Sequence, residues 1–313
     1  MWNYQRRILY FFITLSSLSV SEVYSQELFP LNEPATQIPK GVLGVKFINE
    51  YYKEFDKHRH LQGYRLMYGL FRNATIMTTA TFSNHHDRNL PYDITSHSHN
   101  YNGTAPAYPY LFNGFNFYFK YRVFTIDGKN QHLRMAFYSE YSTVSTAHDE
   151  AEPRLMDDTG GFASGVIITA LKNKFAVSLN TGKIFPTPFT DNVLGRKVTL
   201  EYGDAWQYNL SFGYLIYPKV YSTYEETNYS LYAEFIGKSY EAGNIYIDDV
   251  WAPSQSELFI KRNYVECHLG IQQVIKSNTR IDLSLGFDVL SNSFIHVTPL
   301  LTLGYQRYFY FNK

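Results

Sequence analysis

Ten histidines punctuate this chain. Eight of them, His58, His60, His85, His86, His97, His99, His148 and His296, fall between stretches that alternate apolar and polar residues. "HRH" (58–60) and "HSH" (97–99) set pairs two residues apart, and His85 and His86 are adjacent. Neutral imidazole is a ligand for zinc, copper or nickel, so His85, His86, His97 and His99 form a candidate metal-binding set. No cysteine or closely spaced carboxylate accompanies them, no H-E-x-x-H motif is present, and polar loops attract histidine without any ligand. "SHSHNYNG" (96–103) also offers Ser98 beside His97 and His99, the pair a lipid hydrolase would use. No third group that could orient the imidazole can be named, so the sequence assigns no catalytic residue, no cofactor and no enzymatic activity.

A second set of chemically able residues is charged and regularly spaced. In "TRIDLSLGFDVL" (279–290), Ile281, Leu283, Leu285, Phe287 and Val289 alternate with Arg280, Asp282, Ser284, Gly286 and Asp288. Successive side chains of a strand point to opposite faces, so this is a ribbon with one apolar and one charged side. The same reading puts Lys46, Glu50, Arg65, Lys120, Arg122, Arg134, Glu140, Glu234, Lys238, Glu266, Arg280, Asp282 and Asp288 on the polar side of their segments. Both signs are present. Enclosed together, such charges must be paired or wetted, because an isolated buried charge is prohibitively costly. They would line either a polar passage whose opposed charges orient a solute, or an interior closed by salt bridges.

The elements that carry these residues recur along the chain. Alternation appears at 41–52, 63–70, 111–124, 133–142, 174–182, 206–217, 228–239, 264–275, 279–290 and 299–311, more weakly at 74–82, and less clearly in facing at 161–171. That is about twelve strands, an even number within the range of outer-membrane barrels. Short connections (71–73, 125–131, 171–174, 218–227, 276–278) alternate with longer or less regular ones (54–60, 84–108, 145–158, 185–204, 241–262, 291–297). An up-and-down meander with short turns at one rim and loops at the other gives this order, whereas a Greek-key sandwich mixes loop lengths between its ends. Aromatics gather near the short turns: Tyr68 and Phe71, Tyr121 and Phe124, Tyr214 and Tyr217, Tyr221 and Tyr224, and "YFYF" (308–311). Amphipathic rings favour the headgroup level, so they read as a girdle. Arg307 falls on the apolar side of the last segment, near the interface, where that costs about 0–1 kcal/mol.

Totals agree. The 313 residues carry 28 basic and 28 acidic side chains, a balance that disfavours nucleic acid as a partner. Aromatics reach 18%, led by 29 Tyr and 24 Phe, and the lone Cys267 excludes an internal disulfide framework. After residue 20 no run approaches the roughly 18 apolar residues of a spanning helix, but a barrel needs none. Arg6 and Arg7 followed by "ILYFFITLSSLSV" (8–20) and the small-residue flank Val23-Tyr24-Ser25 read as a signal peptide over 1–25. Residues 26–40, with three prolines and no periodicity, read as an extended lead-in, and 41–313 as the barrel.

"ELFPLNEPATQIPKGVLGVKF", "LRMAFYSEYS" and "YLIYPKVYSTYEETNYSLYAEFIGKS" resemble outer-membrane barrel proteins of Gram-negative bacteria, distantly similar to the transporter family associated with phenol-degradation pathways. The resemblance is one of texture and segment order across most of the chain, and carries over no functional residue. It implies a transmembrane up-and-down antiparallel β-barrel in the cell outer membrane, porin-like, with lipid outside and a small solute inside. The alternatives are a non-conducting surface barrel whose outer loops bind a ligand or metal, and a lipid hydrolase.

Overall fold

Alternation becomes a ladder once each strand finds two neighbours. The computed structural model describes residues 29–96, 104–105, 107–147, 152–220, 223, 225–254, 259–291 and 299–311. Twelve strands close into one antiparallel barrel: β1 (Val42–Glu54), β2 (Lys57–Phe71), β3 (Ala74–Ser83), β4 (Leu111–Gly128), β5 (Gln131–Ser142), β6 (Gly161–Lys172), β7 (Phe175–Pro186), β10 (Ala205–Tyr217), β11 (Asn228–Tyr240), β14 (Arg262–Ile275), β15 (Thr279–Ser291) and β16 (Leu300–Tyr310). Each pairs with its neighbour in sequence, and β1 pairs with β16, from Val42↔Tyr310 to Tyr51↔Leu301, to seal the cylinder. The shortest barrel strand has 10 residues, which suffices for a tilted crossing of the hydrocarbon layer.

The two faces differ as the pleat requires. Leu66, Phe117, Phe137, Leu210, Leu231, Leu283 and Leu303 stand exposed on the outside, a continuous apolar band that water would not tolerate and acyl chains would cover. Tyr68, Phe71, Tyr121, Phe124, Tyr214, Tyr217, Phe309 and Phe311 are exposed at the short-turn rim. Tyr308 instead turns inward against Val42 and Met67, and Tyr221 and Tyr224 lie outside the described residues. Arg307 is exposed, its guanidinium over the Phe309 ring at 5.6 Å. In β6 the odd positions Ala163, Ile167 and Thr169 are buried while Phe162 and Ile168 are exposed, which settles the facing that its sequence left open.

Three stretches expected to be long or irregular are ordered. The 54–60 connection is a tight turn at Phe55 and Asp56, with Phe55 at φ 48°, and the ladder runs on through Glu54↔Lys57. Within 185–204 and 241–262 lie β8 (Phe189–Val193), β9 (Arg196–Glu201), β12 (Asn244–Ile247) and β13 (Val250–Ala252), a second sheet ordered β13-β12-β9-β8. Asp248 and Asp249 both take positive φ in its two-residue hairpin, a geometry that short polar side chains tolerate. Val198, Leu200 and Ile245 of this sheet pack with Ala163, Ile184, Ala205 and Tyr264 of the barrel and with Leu90 and Leu155 of the loops. The loop rim is thus capped by a small hydrophobic core.

Candidate functional site

The barrel interior is the concave surface on which the inward-facing charges meet. Lys46, Lys120, Arg134, Glu234, Lys238, Arg280 and Asp282 are buried there. Arg65 and Glu50 are nearly so, with side chains 11% and 12% exposed. Glu140 and Glu266 are partly buried. Arg122 sits at the short-turn rim, where it donates to the Arg72 carbonyl at 3.2 Å. Asp288 is exposed, because β15 extends beyond Gly286↔Leu300, the last pair it makes with β16.

Residues 29–40 occupy the lumen. They turn in from the short-turn rim, where the Gly41 N–H donates to the Gly69 carbonyl at 2.8 Å, and run back inside the wall. The segment is extended and proline-rich, so its backbone N–H groups have no internal ladder and must be met by the wall. Ile38 N–H donates to Thr75 Oγ1 (3.1 Å) and Ala35 N–H to Thr169 Oγ1 (2.8 Å). Leu31 and Asn32 N–H donate to the two oxygens of Glu234 (2.9 and 3.0 Å). Lys46 Nζ donates to the Pro30 carbonyl and Lys120 Nζ to that of Pro34, each at 2.8 Å. Glu33 lies between Arg65 Nη1 (3.0 Å) and Lys120 Nζ (3.2 Å). Phe29 and Ala35 are fully buried, and Ala35 packs with Ala136, Tyr138 and Ile167.

A second segment closes down from the loop rim. Glu152 accepts from Lys238 Nζ and from Tyr264 Oη, both at 2.7 Å, and Arg154 Nη2 donates to Glu50 at 2.7 Å. Asn116 Nδ2 holds Glu140 (2.6 Å) and the Leu155 carbonyl (3.3 Å). Between Pro30–Asn32 below and 152–158 above remains a cavity of about 300 Å³, lined by charges of both signs including Lys46, Glu50, Arg65 and Lys238. The hydrogen bonds described above that hold residues 29–40 come from β1–β11, while on β14 and β16 the segment meets Tyr308 through Ile38. There Gln272 Nε2, Thr302 Oγ1 and both side-chain polar atoms of Gln306 are buried without a partner. Such atoms persist where bound water or a solute can meet them.

The histidines separate into two groups. His58 and His60 belong to β2, where they stack on Tyr51 and Tyr110. His85 and His86 meet two aspartates of the inward loop: His86 Nε2 is 2.9 Å from Asp158 Oδ1, and His85 Nδ1 is 3.5 Å from Asp158 and 3.6 Å from Asp157. Burial alone would lower the His85 pKa, but the neighbouring carboxylates of Asp157 and Asp158 outweigh it and push it up to about 10. Burial and the neighbouring Asp158 raise the Asp157 carboxyl above its ordinary value. His97, Ser98, His99, His148 and His296 lie outside the described residues. Sequence reasoning missed Glu33, Glu152, Arg154, Asp157 and Asp158, all in segments without periodicity. Glu33 alone left a trace, as the one carboxylate of residues 29–40, a stretch rich in proline and apolar residues.

No known protein family matches the chain, and no curated protein matches its sequence. Among solved structures it is similar to an outer membrane channel from Pseudomonas putida F1, with 14% identity over 90% of this chain and 100% of that one and a TM-score of 0.55. It is also similar to the transport unit of the autotransporter AIDA-I from Escherichia coli (12% identity, 96% and 97% covered, TM-score 0.46). The NanC porin is a further likeness (6%, 84% and 97%, 0.45). The first likeness shows the fold, that of an outer-membrane barrel; the other two are too loose to add to it.

Proposed function

We propose that this chain is an outer-membrane channel that passes a small polar solute through its lumen, and that residues 29–40 hold the lumen shut in the conformation described. The observation that carries the reading is a set of unpaired buried polar atoms on the lumen side of β14 and β16. Gln272 on β14 and Thr302 and Gln306 on β16, the two strands that flank β15, carry buried polar atoms with no hydrogen-bond partner in the protein. A permanently closed interior would pair or replace such groups, since each costs about 1–3 kcal/mol unmet. A solute path would keep them. The segment opposite is fastened by hydrogen bonds and ion pairs rather than by continuous strand pairing, so it can leave without breaking the cylinder. The opposed charges around the cavity fit a solute that is polar and small rather than one of a single strong charge. β1 begins and β16 ends at the short-turn rim, which we read as the periplasmic side.

Planar-bilayer recording tests this reading. The intact chain is expected to show low or rare conductance, and a variant lacking residues 29–38 a several-fold larger one, with matching uptake into liposomes. A deletion variant that folds, inserts and conducts nothing would overturn it. In that case the second reading stands: a non-conducting surface barrel whose outer loops bind a ligand. That reading is favoured by the paired charges Glu152–Lys238 and Glu50–Arg154 that close the lumen from above.

A further inference from the structure

We propose that His85, His86 and Asp158 form a binding site for a divalent first-row transition cation, zinc foremost, at the loop end of the lumen. The three side chains offer one ligand atom each, and these atoms all lie within 4.8 Å of one another. Ligands held about 2.1 Å from zinc at tetrahedral angles lie about 3.4 Å apart. The observed separations, 2.9 Å from His86 Nε2 and 3.5 Å from His85 Nδ1 to Asp158 Oδ1, bracket that value. Two imidazoles and a carboxylate suit zinc, copper or nickel, and do not suit calcium or magnesium, which take oxygen.

Asp157 is the second, independent observation. It is 0% exposed, and neither of its carboxylate oxygens is held by a hydrogen bond. Its nearest cationic atoms are His85 Nδ1 at 3.6 Å and Arg154 Nε at 3.4 Å, and Arg154 is also bound to Glu50. Two adjacent buried carboxylates are costly to hold together, and a doubly charged ion at the site balances them. His85 and Asp158 also line the 300 Å³ cavity, so an ion there keeps an open coordination position toward the lumen. The ion would join residues 84–87 to the segment 152–158 that roofs the cavity. The site stands whether or not the lumen conducts.

Calorimetric titration of the detergent-solubilised full chain with zinc chloride, with no polyhistidine tag, tests the proposal. One equivalent is expected to bind. His86→Gln and Asp158→Asn are each expected to weaken binding by about 10–100-fold or more. His97→Gln/His99→Gln should leave it unchanged. Heat-modifiable mobility on a gel confirms that each variant is folded. X-ray absorption at the zinc edge of the unmodified chain reads the ligands without any variant, and two imidazoles are expected. The proposal is overturned by the absence of saturable binding, by affinity unchanged in His86→Gln and Asp158→Asn, by loss in His97→Gln/His99→Gln alone, or by a spectrum without imidazole.

Discussion

Glu33 concentrates the electrostatics of the lumen in one carboxylate. Its oxygens lie 3.0 Å from Arg65 and 3.2 Å from Lys120, and the Lys120 side chain is only 2% exposed. Breaking one partner out of a buried pair costs about 3–5 kcal/mol, because the remaining charge is left uncompensated. Glu33→Gln keeps the shape and removes the charge. The cheapest relief is departure of the segment, not unfolding of the wall. Conductance in planar bilayers is therefore expected to rise several-fold, with the unfolding temperature on a heat-modifiability gel unchanged. Equal conductance would show that this carboxylate does not fasten the segment. Tyr138→Phe is a milder case: it removes the hydroxyl that accepts from Gln207 Nε2 at 2.5 Å, and a loss of about 1 kcal/mol is expected in urea unfolding. Arg65 and Lys120 could be assigned a facing from their strands, since facing is a local property of the pleat. Their common partner could not, because Glu33 sits in a stretch whose conformation is decided by the wall around it.

Strands were legible in proportion to their regularity. β15 alternates regularly from Arg280 to Phe287, and Leu283 near its centre is bare on the outside while Asp282 beside it is buried. Leu283→Arg is expected to cost about 2–4 kcal/mol in reversible folding into lipid vesicles, whereas Arg307→Leu at the rim, which removes a lipid-facing charge, is expected to gain about 0–1 kcal/mol. No cost for Leu283→Arg would mean that lipid does not cover this face. The capping strands β8, β9, β12 and β13 have 5, 6, 4 and 3 residues, too few to carry a period. Their pairing is sustained by Val198, Leu200 and Ile245 packing down on the rim, a tertiary effect no window of sequence contains. Its prolines mark the lead-in as extended but give it no destination. Gly69 is one trace of that destination: a Cβ there would lie 2.1 Å from the Pro39 carbonyl oxygen, so the strand must be bare where the segment passes. Gly69→Ala is expected to push the segment off the rim and make residues 29–40 sensitive to added protease several-fold sooner. Unchanged digestion would place the segment elsewhere.

The cylinder itself was legible because closure follows from strand number and loop alternation, whereas its contents were not. The histidine–aspartate cluster joins residues 85 and 86 to 157 and 158, brought together only when two loops fold over one opening. Apolar cover is a property of the assembled barrel, so the purified chain is expected to stay folded and monodisperse in detergent micelles and to precipitate when detergent is withdrawn. A folded, water-soluble monomer would refute the membrane reading. The seam between β1 and β16 has one more consequence. Ten residue pairs join the first barrel strand to the last, so the ring cannot exist until the C-terminal strand has been made. Residues 29–40 are tethered directly to β1 at the rim, so the enclosure that receives them is complete only once that final zip has formed. The order of assembly is thereby written into the topology: the two end strands meet to make the vessel, and its stopper hangs from one of them, already at the mouth it fills.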